Sequence, residues 1–420
     1  MTASPWVCII VLAATAGAVS GQAPGEDQLA RFREKVRQDM TGVPNYTCLE
    51  TVERVYRNPH AHAFKPVDTI RLEVSSVAGK ELFAWPGGRR FGDRDVTSLV
   101  NGAIPFGMFD MFAHNLFVNA KGTRQYRGTE DLDGRASVRC DFHLSLQQSG
   151  LRITSNAASE VTAARGSFWF DPVSLDLIRL QVFGEDMPYS LRLEESVFLT
   201  NYARTRIGNA DALLPKRSEL TMAHFNGEAT RIAIGFSECH EYKSESTISF
   251  DAPAAILPEA PKPPVREVDL PAGLEVPIEL DTAIDSKTAS VGDTLHGRVA
   301  QDVRNNTGEL AVPHGAAVTG HLRKVDRNSL GALYAVAIEF SEIEWEGVRA
   351  AFYGELIGID RKSAGARKPI TYYDGHVDKV RIDGDIPGAG IFYIDAAKFR
   401  IPPGFHMVWR TKARSGKAGE

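Results

Sequence analysis

Ser167-Phe168-Trp169-Phe170-Asp171-Pro172-Val173-Ser174-Leu175-Asp176-Leu177-Ile178-Arg179-Leu180 reads as two β-strands folded on a turn. Three consecutive aromatic residues suit a pleated, half-buried ribbon. Asp171-Pro172 opens the turn: proline fixes φ and lacks a donor, and aspartate bonds its own backbone two residues on. On the return strand Ile178, Leu180 and Val182 alternate with Arg179 and Gln181. That period of two places one set of side chains on one face.

The same rhythm runs outward from this hairpin. Thr69–Ser76 puts Ile70, Leu72 and Val74 on one face, and Arg231–Phe236 does so with Ile232, Ile234 and Phe236. Ser190–Thr205, Leu214–Phe225 and Ser246–Phe250 read as further strands. With no βαβ alternation, the pattern predicts an antiparallel meander. One helix precedes it. Over Glu26–Met40, Leu29, Phe32, Val36 and Met40 recur at helical steps, and Gly42 and Pro44 close the segment. Phe106 to Phe117 interrupts the meander as an apolar helical insert whose polar stripe is Asp110, His114 and Asn115. Such a helix must be buried against something broad.

Ala252–Pro264 holds five prolines in thirteen residues. It reads as an extended linker (residues 252–265) between halves at 21–251 and 266–412, which are expected to behave independently. Beyond it Leu274, Val276, Ile278 and Leu280 restart the alternation. Short strands follow at Thr294–Val303, Ala317–Val325, Ala332–Phe340 and Val348–Ile357, the pattern of a small β-barrel or sandwich.

Charge and motifs narrow the function. The 420 residues carry a net charge of −5, without the basic excess that nucleic-acid binding demands. The basic tail at 413–420 reads as a solvated end. The first twenty residues lack Asp, Glu, Lys and Arg, run apolar from Val7 to Ala14 and end in Ala18-Val19-Ser20. This predicts a signal peptide over residues 1–20, cleaved after Ser20, with a retained anchor helix as the alternative. The expected location is the periplasm or outside the cell, with no integral membrane segment after cleavage. His60 and His62 lack a third ligand, and Asp378, Asp383 and Asp385 lack calcium-loop spacing, so no metal or cofactor is expected. No GxSxG, P-loop, GxGxxG or CxxC occurs. No catalytic residue is assigned, and the chain is read as a non-enzyme.

The leading helix, the long meander, Phe168-Trp169-Phe170-Asp171-Pro172 and the apolar insert together resemble the half-barrel of the LolA/LppX-like lipoprotein-carrier superfamily, over roughly residues 26–250. The resemblance implies a mainly β fold: an antiparallel half-barrel with a leading helix and a short helical lid at Phe106–Val118. It also implies an apolar or lipid-like ligand on the concave face. Trp85, Phe106, Met108, Phe109, Met111, Phe112, Phe117, Phe168 and Phe170 are the candidate ligand-binding residues; equally, they fill a core. The helix face of Leu29, Phe32, Val36 and Met40 is expected on that concave side.

In the C-terminal half, Leu270-Pro271-Ala272-Gly273, the strand to Leu280, Ser290-Val291-Gly292-Asp293 and Val312-Pro313-His314-Gly315-Ala316-Ala317-Val318-Thr319-Gly320 resemble the β-domain of TrbI-type conjugation-channel proteins. That implies a structural module acting against a cell-envelope protein. The whole arrangement resembles uncharacterised exported proteins of soil bacteria. Cleavage leaves Cys48, Cys140 and Cys239. A meander curling into a half-barrel brings the ends holding Cys48 and Cys239 together, which predicts their disulfide and a free Cys140. Strict alternation aims Cys239 away from the face of Ile234 and Phe236, so a bulge is expected there. Three roles stay open: an apolar-ligand binder, an envelope assembly component, and a hydrolase with an unrecognised site.

Overall fold

The computed structural model describes residues 24–77, 80–87, 112–119, 121–155, 158–242, 266–327, 333–359, 386, 388–395 and 398–413. The expected leader, the linker, the strand at Ser246–Phe250, the Asp378–Asp385 turn, and Phe106, Met108, Phe109 and Met111 lie outside them.

Helix α1 (Pro24–Thr41) leads into strands β1 (Tyr46–Arg57), β2 (Lys65–Val77), β3 (Lys80–Ala84), β4 (Thr123–Leu132), β5 (Arg135–Leu144) and β6 (Leu151–Ser155). Then come β7 (Ala158–Phe170), β8 (Leu177–Glu185), β9 (Leu193–Ile207), β10 (Ala210–His224) and β11 (Ala229–Glu241). They form one curled, 11-stranded antiparallel sheet in the order β3-β2-β1-β11-β10-β9-β8-β7-β5-β4, with β6 beside β7. The hairpin quoted above is β7–β8. Its turn is held by Asp171, whose carboxylate accepts the Val173 and Ser174 amides, each at 2.8 Å.

Directly opposed residues of an antiparallel sheet share a face, so the register defines transverse rows. Ile70, Val52, Ile234, Ser218, Thr200, Leu180, Phe168, Cys140 and Tyr126 are opposed in turn from β2 across to β4. All but Tyr126 are buried. Ser218 and Thr200 satisfy each other at 3.1 Å. The next row is Arg54, Ile232, Leu220, Phe198, Val182, Gly166, Phe142 and Arg124. Gly166 is required there: a Cβ would stand 1.9 Å from the Gln181 carbonyl and 2.7 Å from the Phe142 ring.

The C-terminal half comprises β12 (Arg266–Asp269), β13 (Glu275–Leu280), β14 (Ile284–Asp285), β15 (Thr294–Val299), β16 (Val303–Arg304) and β17 (Leu310–Val312). β18 (Ala317–Arg327), β19 (Leu333–Trp345), β20 (Val348–Ala351), β21 (Gly354–Ile359), β22 (Gly390–Asp395), β23 (Arg400–Ile401) and β24 (Phe405–Thr411) complete it. Nine of these strands share a sheet in which β20 and β21 lie near opposite ends of the pairing path. Phe352, buried between them, marks where the strand expected over Val348–Ile357 breaks and crosses, so the sheet curls back on itself. Phe405, Met407 and Trp409 alternate into its core, with Trp409 edge-on to Phe340 at 5.4 Å.

The two halves meet at a seam. β3 stops opposite Glu73, and past that point Val291 takes the open edge of β2. The Arg71 amide donates to the Val291 carbonyl at 2.7 Å, and the Val291 amide to the Thr69 carbonyl at 2.8 Å. Arg71 also pairs with Asp293 at 2.6 Å. The halves are therefore joined by main chain and side chain as well as by the linker.

Candidate functional site

Helix α1 seats on the inner face through Phe32 and Val36, both fully buried. The Phe32 ring stacks on Phe170 and Phe168, with centroids at 4.2 and 5.3 Å, and meets Phe117 edge-on at 5.6 Å. Ionic contacts fix the helix end. Arg204 of β9 pairs with Asp176 at 2.5 Å and Asp39 at 2.8 Å, and Lys35 reaches the same two carboxylates. Gln28 donates to the Pro172 carbonyl at 3.2 Å. The helix is thus bolted to the β7–β8 turn, the Asp171-to-Asp176 segment that decides the fold.

Of the candidate ligand-binding residues, Phe112, Phe117, Phe168 and Phe170 come together in this aromatic cluster beneath α1, each buried. Phe117 lies on a short π-helical turn, His114–Val118, whose Leu116 carbonyl accepts Arg124. Trp169 alternates to the outer face, where its indole donates to Glu130 at 2.6 Å. Trp85 sits elsewhere, at the seam. Its ring stacks on His321 at 5.9 Å, and the Arg323 guanidinium lies over it at 5.0 Å. The Pro86 carbonyl beside it accepts the Thr294 hydroxyl at 2.9 Å and faces His321 Nε2 at 3.4 Å. Burial pushes the His321 imidazole down to about 4, against the pull of the Pro86 carbonyl.

The inner face continues past the helix across β11, β1, β2 and β3. There Val52, Ile70, Leu72, Val74, Phe83, Ile232 and Ile234 form an apolar wall, all buried. Two polar features interrupt it. Arg54 and Asp68, opposed across β1 and β2, form a bidentate pair at 2.7 and 2.5 Å. Glu50 stands between Leu72 and Phe236, 3% exposed. Burial, with the Glu81 charge adding to it, pushes its carboxyl up to about 8. Nothing in the sequence singles out Glu50, and it was not among the candidates.

At one end of this wall Cys48 is bonded to Cys239. Between Leu49↔Ser237 and Thr47↔His240, β11 carries one extra residue, and Glu238 takes φ 52°. That is the bulge alternation demanded, and it turns Cys239 onto the face of Cys48. Cys140 is free and fully buried, its thiol pushed up to about 12 by burial. Among the described residues no group of three or more His, Cys, Asp or Glu side chains could hold a metal ion. No described helix is long and apolar enough to cross a membrane.

No family model matches the sequence, and no curated protein does. Solved structures do. A domain from Vibrio parahaemolyticus, described as a putative outer membrane lipoprotein-sorting protein domain, aligns over 51% of this chain and 92% of its own, at 12% identity and TM-score 0.29. A LolA superfamily protein from Nitrosomonas europaea aligns over 51% and 94%, at 13% identity and TM-score 0.28. Neither structure bears on the conjugation-channel resemblance of the C-terminal half. At scores this low the likeness carries no functional weight.

Proposed function

We propose that the N-terminal half-barrel binds an apolar or lipid-like molecule on its inner face, as an exported protein of the periplasm or cell surface. One observation carries the reading. The inner-face rows run from the strands under α1 to the wall on β11, β1 and β2, apolar but for Ser218, Thr200 and the terminal Arg54 and Arg124, a span of eight inter-strand steps, or about 38 Å at the usual spacing. A helix some 10 Å across covers a fraction of that width, and the broad wall beyond it, though buried, has an apolar lining suited to an acyl chain. The Cys48–Cys239 bond favours an oxidising compartment, in keeping with the charge-free leader. In this reading the C-terminal module supports the half-barrel by holding the open edge of β2.

Native mass spectrometry of the protein from its own envelope tests the proposal. A co-purifying lipid, lost on delipidation and regained on mixing with envelope lipid, is the expected result. A protein partner without lipid would favour the assembly role, and turnover of an ester substrate would favour a hydrolase.

A further inference from the structure

We propose that one rim of the N-terminal half-barrel docks on an anionic lipid surface, with the stacked pair Tyr189 and Phe225 as its point of insertion. This surface lies on the outside of the fold and is independent of the inner-face ligand reading above.

The distribution of exposed apolar side chains points there. Among the described residues of the N-terminal half, five large ones face solvent: Val67, Leu146, Val173, Tyr189 and Phe225. The antiparallel order puts four of the five at one end of the sheet, where β1 gives way to β2, β5 to β6, β8 to β9 and β10 to β11. Val173 sits at the other end, on the β7–β8 turn. Apolar residues scattered singly over a surface are ordinary. Tyr189 and Phe225 are not scattered: their rings stack at 6.0 Å while 76% and 60% exposed. Both are held rigidly. Tyr189 opens the helical turn Tyr189–Leu191, which is anchored by the fully buried Leu191 and ends at Arg192 with φ 53°. Phe225 starts the β10–β11 turn, closed by the Gly227 amide on the His224 carbonyl at 2.9 Å, and its own amide donates to the Arg192 carbonyl at 3.3 Å. The β1–β2 turn lies beside them, a Cβ on Gly227 falling 3.5 Å from Pro59. Covering such a preordered pair gains hydrophobic free energy at little cost in conformational entropy.

Shape and charge choose the occupant. The apolar tips stand on separate turns rather than along one groove. A lipid interface accepts such tips one by one, and tyrosine, with an apolar ring and a polar hydroxyl, suits the headgroup level. Over residues 57–65, 186–192 and 224–231, Arg57, Lys65, Arg192 and Arg231 stand against Asp186 and Glu228, an excess of two positive charges with histidine neutral. Arg57 and Arg231 lie over the Phe64 ring at 5.3 and 4.6 Å, Arg231 also reaching Glu219 at 3.4 Å. Lys65 and Arg192 are exposed. Basic groups around an apolar tip complement an anionic membrane, through an attraction that salt screens.

The test is flotation of the full-length mature protein with vesicles of phosphatidylcholine, alone or mixed equally with phosphatidylglycerol. The wild type should float with the mixed vesicles, less with phosphatidylcholine, and be released as salt is raised. Tyr189→Ser combined with Phe225→Ser should bind the mixed vesicles at least about tenfold more weakly, with an unchanged circular dichroism spectrum. Val173→Ser, which removes an exposed apolar tip at the other end of the sheet, should bind like the wild type. A wild type that floats with neither vesicle overturns the proposal, as does a double variant that floats as well as the wild type. An equal loss in Val173→Ser would make the adhesion general and overturn the assignment to this rim. Self-association of the wild type that the double variant lacks, without flotation, would give the pair to a second copy of the chain instead. If the double variant does not fold, Lys65→Glu combined with Arg192→Glu decides: reversing these two exposed charges should weaken binding to the mixed vesicles, and unchanged binding overturns the docking.

Discussion

At Glu50 the backbone register, not the residue type, sets the chemistry. Cys48, Glu50, Val52 and Arg54 share one face of β1, and Leu49, Thr51, Glu53 and Val55 the other. Neither set is apolar, so alternation alone cannot say which points inward. The buried acid follows from pairing with Leu72 and Phe236, contacts far away in sequence. It has a stability consequence of definite sign. The folded carboxyl titrates near 8 and the unfolded one at its ordinary 4.5, so between those values the native state holds a proton that the unfolded chain has released. Stability should fall across that window, by up to about 1.4 kcal/mol per pH unit. Glu50→Gln should flatten the descent in urea unfolding at pH 5 and 8; an unchanged slope would mean that Glu50 is ionised in the fold. Phe32, by contrast, was legible from helical spacing alone. Removing its stacked ring by Phe32→Ala should cost about 3–5 kcal/mol, read as a lower urea midpoint, and an unmoved midpoint would detach α1 from the inner face.

Between elements, two local irregularities do the joining. The bulge at Glu238 turns Cys239 inward, and the bond it permits closes a separation of 191 residues. Chain-entropy reasoning gives such a closure up to about 5 kcal/mol, so a Cys48→Ala, Cys239→Ala double variant should unfold at markedly lower urea than the oxidised wild type. Equal midpoints would assign the bond no role in stability. This pairing was readable because strand ends and face parity are sequence properties. The other irregularity is the turn Ser290-Val291-Gly292-Asp293. Gly292 has φ 94°, and a Cβ there would lie 2.1 Å from the Arg71 carbonyl and 2.8 Å from the Trp85 ring. Gly292→Ala should therefore open the seam while each core persists. Hydrogen exchange reports this directly: the Arg71 and Val291 amides, bonded across the seam, should lose protection while those of β7 keep theirs. Unchanged protection at Arg71 would show that the seam tolerates the side chain. The sequence marked this turn as a motif but gave no hint of its partner, since 222 residues separate Arg71 from Asp293.

Across the whole molecule, the proline-rich linker reads as a tether between two halves, and the seam from Ile70 to Val291 adds contacts beyond it whose strength should depend on pH. His321 is the group expected to set that dependence. It lies on β18 opposite Thr294 of β15 and Glu339 of β19, with Arg323 and His296 as neighbouring basic groups and Trp85 and Pro86 across the joint. Docked, burial holds its imidazole near 4; undocked, it returns toward the ordinary 6.5. The separated form therefore takes up a proton first as pH falls. Docking should be fully favoured above about pH 6.5 and progressively lost toward pH 4. Small-angle scattering should show the radius of gyration rising between pH 6.5 and 4 with no loss of far-ultraviolet circular dichroism. His321→Gln, which cannot take the proton, should hold the compact form through the same range. Expansion of that variant at the same pH as the wild type would place the acid-sensitive contact elsewhere. A wild type already extended at pH 7.5 would mean that the bridge from Ile70 to Val291 does not hold the halves together in solution.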